Sequence, residues 1–114
     1  MTRHDMPAMI VVNRFRVPAG DEEGFRVEAH SALEALARRP GYVDGQIARN
    51  VDDPDLWLLT TTWLNVGSYR RALSAYDVKV TAVPLLSRAV DEPSAYESVR
   101  AGVATNEQVP RDLD

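Results

Sequence analysis

The sequence predicts an α+β domain in the order β-α-β-β-α-β, the ferredoxin-like plan of an antiparallel sheet with its helices on one face. Three observations carry that reading. A β-branched run opens the chain, an amphipathic helix with charges matched to its ends follows, and two further apolar runs flank an Asn/Asp/Pro turn. The 114 residues leave room for one domain, expected over 9–99, with flexible termini at 1–8 and 102–114.

The first strand is read over 9–17, where Ile10, Val11, Val12, Phe15 and Val17 fall before the stop Pro18-Ala19-Gly20. A helix over 21–39 comes next. Asp21 is its expected N-cap, Glu22 and Glu23 sit in the first turn, Arg38 and Arg39 in the last, and Pro40-Gly41 ends it. Phe25, Ala29, Ala32, Leu33 and Leu36 share one arc, and Val27 lies on the far side. Strands over 42–49 and 56–63 form a hairpin around the turn cluster 50–55. Asn65 caps a second helix expected to run through Tyr69, Leu73 and Tyr76. An irregular helical piece from Asp77, interrupted at Pro84, and a last strand over 94–99 complete the plan.

Composition excludes several function classes. The chain carries 13 basic and 17 acidic residues, a net charge of -4, which is the wrong balance for a nucleic-acid partner. With no cysteine there are no disulfides, thiolate metal sites or cysteine nucleophiles. No apolar run is long enough for a membrane span and no signal peptide is read, so a cytoplasmic protein with no membrane partner is expected. The glycines form neither a dinucleotide fingerprint nor a P-loop, no Ser sits in a GxSxG turn, and His4 and His30 stand in no metal-ligand spacing. An enzyme built on this chain would work without a metal or other resident cofactor.

Two strands are apolar on both parities. Trp57, Leu59 and Trp63 alternate with Leu56 and Leu58, and Val11 and Phe15 alternate with Ile10 and Val12. A sheet apolar on both faces needs a second cover, and an exposed patch of a few hundred Å² marks an interface. A homodimer packed sheet against sheet is therefore expected.

One pocket is predicted between sheet and helices. Asn13 shares a face with Val11 and Phe15, Trp63 ends the third strand on the face of Leu59, and Tyr69, Leu73 and Tyr76 align at i, i+4 and i+7. Asn13, Trp63 and Tyr69 are the candidate catalytic groups. Phe15, Leu59, Leu73 and Tyr76 line the substrate, with His30 on the rim. An apolar hollow with a few placed hydrogen-bonding groups is the usual form of a small-molecule site. Each residue also has a purely structural reading. Asn13 satisfies backbone groups at a bulge, Trp63 is a core aromatic with its indole N–H satisfied, Tyr76 packs in the core or the dimer seam, and His30 is a solvated rim residue.

The chain resembles the antibiotic biosynthesis monooxygenase (ABM) domain family over about residues 9–99. The likeness rests on the first strand with Pro18-Ala19-Gly20 and its acidic-capped helix, the turn Arg39-Pro40-Gly41-Tyr42, the strand end Thr62-Trp63-Leu64-Asn65, the helix from Tyr69 to Leu73, and Tyr96-Glu97. The resemblance implies a dimeric α+β barrel of ferredoxin-like protomers. One branch comprises cofactor-independent oxygenases that convert anthrone-type polyketides to quinones, with a pocket lined by residues matching Trp63 and Tyr69. Leu59 stands where that branch has an Asn. The partners so implied are a small phenolic or anthrone-type aromatic and dioxygen. A second branch degrades haem. Asn13 and Trp63 match its pattern, but 75–88 holds no histidine to serve as axial ligand. The competing function class is a non-catalytic module that binds a hydrophobic ligand in the same pocket.

Overall fold

The computed structural model describes residues 9–102. Apart from Gly102, the termini expected to be flexible lie outside the described residues. Strand β1 (Met9–Arg16) leads through a 3-10 turn at Ala19–Asp21 into helix α1 (Glu22–Ala37), followed by β2 (Tyr42–Arg49) and β3 (Leu56–Trp63). Helices α2 (Val66–Ser74), α3 (Tyr76–Thr81) and α4 (Val83–Leu86) precede the short strand β4 (Ala95–Glu97). The four strands form one antiparallel sheet in the order β2-β3-β1-β4. This is the predicted α+β, ferredoxin-like plan.

Alternation along β3 sets the layers. Trp57, Leu59, Thr61 and Trp63 are buried, whereas Leu56, Leu58, Thr60 and Thr62 are half-exposed. Cross-strand partners share a face, and the register pairs Trp63 with Met9, Thr61 with Val11, Leu59 with Asn13 and Trp57 with Phe15. Against this face α1 packs Phe25, Ala29, Ala32, Ala35 and Leu36. The three alanines let the helix axis approach the sheet closely. Val27 points away and is 63% exposed, as its place on the helix predicts. The opposite face presents Ile10, Val12, Leu56, Leu58 and Ala48, with Tyr96 opposite Ile10. No helix among the described residues covers it.

Two local expectations change. Asp21 occupies the N-cap position of α1, but its side chain makes no capping bond, because the chain enters the helix through a 3-10 turn. The second helix ends two residues before Tyr76. Asn65 caps it as expected, its Oδ1 accepting from Ser68 N–H at 2.8 Å and Ser68 Oγ at 2.9 Å. Ala75 then takes an extended backbone (φ -72°, ψ 143°) and breaks the helical ladder. The re-aimed chain buries Val78, Ala82 and Leu85 at i, i+4 and i+7. Beyond it, the last strand is limited to Ala95–Glu97, hydrogen-bonded along Met9, Ile10 and Val11.

Candidate functional site

The helix-covered face carries an aromatic cluster at the end of β3. Trp63 is fully buried and lies between two tyrosines. Tyr42 meets it edge-on at 5.5 Å between ring centroids, and Tyr69 packs tilted at 5.6 Å. Cross-strand pairing supplies Tyr42, and α2 supplies Tyr69 one turn beyond the Asn65 cap. The turn between α1 and β2 locks this corner. Gly41 has φ +90°, and an added Cβ would lie 2.2 Å from Ser68 Oγ, so the turn can close onto α2 only with glycine.

The indole N–H of Trp63 donates to Thr61 Oγ1 at 2.8 Å. Successive odd positions of a strand share a face, so Thr61 is the near acceptor, and it is itself buried. Trp63 is thus enclosed between the two tyrosines, and its hydrogen is already committed inside the protein. The Tyr69 hydroxyl has no hydrogen-bond partner among the described residues. Burial raises its pKa, and burial followed by the charge of Asp44 raises that of Tyr42. Both phenols are accordingly protonated at neutral pH, which makes Tyr69 a hydrogen-bond donor and a poor base. The Asn13 side chain, half-buried beside Leu59, is likewise without a hydrogen bond among the described residues.

The other candidates divide between this corner and the rest of the molecule. Leu73 is half-buried on α2 and packs on the core, and Leu59 is buried in the core four positions before Trp63 on β3. Phe15 is not with Trp63. It pairs with Trp57, six positions away along β3, or about 20 Å at ~3.3 Å per residue. There it stacks on Phe25 at 5.1 Å and lines a separate hollow of about 500 Å³, with the Glu28–Arg88 ion pair (3.0 Å) among its lining residues. Tyr76 is 82% exposed at the start of α3, because the break at Ala75 turns it out of the arc of Tyr69. His30 is exposed and lines a hollow beside Trp57 rather than Trp63. Tyr42 is the member of the cluster that strand and helix periodicity did not single out.

Residues 8–82 match the model of the antibiotic biosynthesis monooxygenase domain. The chain belongs to that family. Among solved structures, SnoaB, a cofactor-independent oxygenase from Streptomyces nogalater, aligns at TM-score 0.70 and 23% identity, covering 83% of this chain and 96% of that one. A conserved protein from Methanosarcina mazei Go1 aligns at TM-score 0.67 and 22% identity over 82% of this chain and 94% of that one. A conserved protein of unknown function from Bacteroides thetaiotaomicron aligns at 0.66 and 16%, over 82% of this chain and 100% of that one. At such identities these likenesses speak for the fold. No curated protein matches the chain.

The ion pairs of this antibiotic biosynthesis monooxygenase domain lie at its surface. Arg14 donates to Glu92 through two bonds of 2.7 Å, and Arg16 pairs with Asp53. Hydrogen bonding to Arg14 holds the Glu92 carboxyl below the usual carboxylate range. Among the described residues no group of three or more His, Asp or Glu side chains is placed to hold a metal ion. No described helix is long and apolar enough to cross a membrane.

Proposed function

We propose that the protein is an oxygenase that oxidises a phenolic or anthrone-type aromatic with dioxygen, using neither metal nor flavin. The observation that most supports this reading is the Tyr42–Trp63–Tyr69 cluster, two half-buried tyrosines around a buried tryptophan, with the unengaged Tyr69 hydroxyl at its edge. Family membership and the fold likeness to a cofactor-independent oxygenase agree with it. In such a reaction the substrate supplies the electrons. A proton leaves its activated carbon, the resulting carbanion reduces dioxygen, and a carbon–oxygen bond forms. Loss of water then leaves a carbonyl, so one oxygen atom ends in the product and the other in water. The protein's part is to orient the ring against Tyr69, which Trp63 backs from inside, and to donate hydrogen bonds, from Tyr69 and the Asn13 amide, to the oxyanion that develops. Among the described residues no histidine or carboxylate hydrogen-bonds to the cluster, and Asp44 acts only on Tyr42 through its charge. The proposed substrate must therefore be acidic enough to ionise without a strong base. An oxygen electrode with a panel of anthrones tests the proposal. Uptake is expected to match quinone formation mole for mole. Tight binding without uptake would instead identify a hydrophobic-ligand module, and a Soret band on titration with haemin would point to haem.

The homodimer is proposed on separate grounds. Ile10, Val12, Leu56, Leu58 and Tyr96 form a contiguous apolar face that α1 and α2 leave open. Packing two such faces would remove it from water. Sedimentation equilibrium at micromolar concentration is expected to give twice 12.7 kDa. Leu58→Glu, which places a carboxylate in the centre of the face, is expected to return the monomer mass. A monomeric parent protein would dismiss the dimer.

A further inference from the structure

A second site stands at the other end of β3. The guanidinium carbons of Arg26 and Arg49 lie 5.2 and 5.5 Å from the centroid of the Trp57 ring. The two arginines come from different elements, α1 and the end of β2, and both line a hollow of about 740 Å³ together with His30, Ile47, Asn50 and Pro54. One carboxylate serves both. Glu22 accepts from Arg26 at 2.8 Å and lies 3.6 Å from Arg49 Nη1. Two guanidinium groups carry about ten N–H donors, so most of them remain for another acceptor.

The neighbouring polar groups have assigned roles. Asn50 Oδ1 accepts from the backbone N–H groups of Asp52 and Asp53, each at 2.8 Å, which leaves its amide NH₂ as a donor. His30 Nδ1 is 2.8 Å from the carbonyl oxygen of Arg26. A carbonyl can only accept, so Nδ1 carries the hydrogen and Nε2 of the neutral ring is the acceptor. A guanidinium lying on an aromatic ring keeps its edge for a carboxylate and its outer face for a second planar group.

We propose that this hollow binds a planar hydroxy-aromatic carboxylate. Its carboxylate pairs with the edge of Arg49, its ring lies on the guanidinium plane of Arg26 backed by Trp57, and its phenolic O–H donates to His30 Nε2. Ile47 and Pro54 supply the apolar wall. The hollow is about 20 Å from Trp63 along β3 and its occupancy is read without turnover, so the proposal stands apart from the oxygenase reading.

Isothermal titration of the full chain with 6-hydroxy-2-naphthoate tests it. Arg49→Gln and Arg26→Gln are each expected to weaken binding about tenfold while leaving the thermal midpoint in place. On the parent protein, 2-naphthol, which lacks the carboxylate, and acetate, which lacks the ring, are each expected to bind at least about tenfold more weakly. His30→Phe should weaken 6-hydroxy-2-naphthoate and not 2-naphthoate, which isolates the bond to the hydroxyl. Absence of binding, equal binding of 2-naphthol or acetate, or unchanged affinity in Arg49→Gln would overturn the site.

Discussion

Gly41→Ala is expected to destabilise the fold by about 3–5 kcal/mol, a large share of the 5–15 kcal/mol typical of a whole domain. Two costs add. A non-glycine residue at the observed φ of +90° is strained by roughly 1–3 kcal/mol. The new methyl group would also lie 2.2 Å from Ser68 Oγ and 2.3 Å from Ser68 Cβ, so something must move. Ser68 cannot withdraw freely. Its N–H and hydroxyl both donate to Asn65 Oδ1, and displacing it loosens the α2 N-cap, which is worth about 1 kcal/mol. The strand also resists, since Leu64 N–H donates to the Gly41 carbonyl at 2.8 Å. Urea unfolding measures the effect, and Gly20→Ala is the control, because a Cβ there meets nothing within 4 Å and φ is not positive. A Gly41→Ala loss below about 1 kcal/mol would mean that the α1–β2 turn is free to re-form elsewhere.

Some of this architecture is legible along the chain and some is not, for reasons visible at single residues. Strands β2 and β3 begin and end where their turn residues and apolar runs place them, because period-two patterning is a local signal. The break at Ala75 has no such signal. Alanine is the best helix former, and the break is imposed from outside by the burial of Val78, Ala82 and Leu85. Tyr76 leaves the predicted pocket for that reason. Parity told correctly which face Phe15 and Trp63 share, yet parity says nothing of distance along the strand. Their separation follows from register, which couples Phe15 to Trp57 and Met9 to Trp63. Tyr42 was hidden by the same gap, since its pairing with Trp63 depends on the register irregularity between Tyr42 and Asp44. The bond from Trp63 to Thr61 was available as a spacing of two on a strand, and it supports the structural reading of the indole N–H.

Tyr69→Phe is expected to lower turnover of an anthrone about 10²-fold while costing no more than about 1 kcal/mol of stability. The hydroxyl is the group removed, and it makes no hydrogen bond among the described residues, so no buried partner is orphaned. The ring stays, and with it the 5.6 Å contact to Trp63. A donor to a developing oxyanion acts mainly in the transition state, so kcat should carry the loss and KM should move little. Trp63→Phe must behave differently. It empties volume at a fully buried site and leaves the buried Thr61 hydroxyl without its indole partner, so a stability loss of roughly 2–4 kcal/mol is expected whatever happens to the rate. Thr61→Val separates the two effects, since it removes the acceptor and keeps the ring. If Tyr69→Phe turns over at the parent rate while Trp63→Phe and Thr61→Val only lower the melting point, the cluster is core packing and the oxyanion is stabilised elsewhere. If turnover falls in Tyr69→Phe alone at unchanged stability, the phenol acts on the substrate, and Trp63, held by Thr61, is the buried packing behind it.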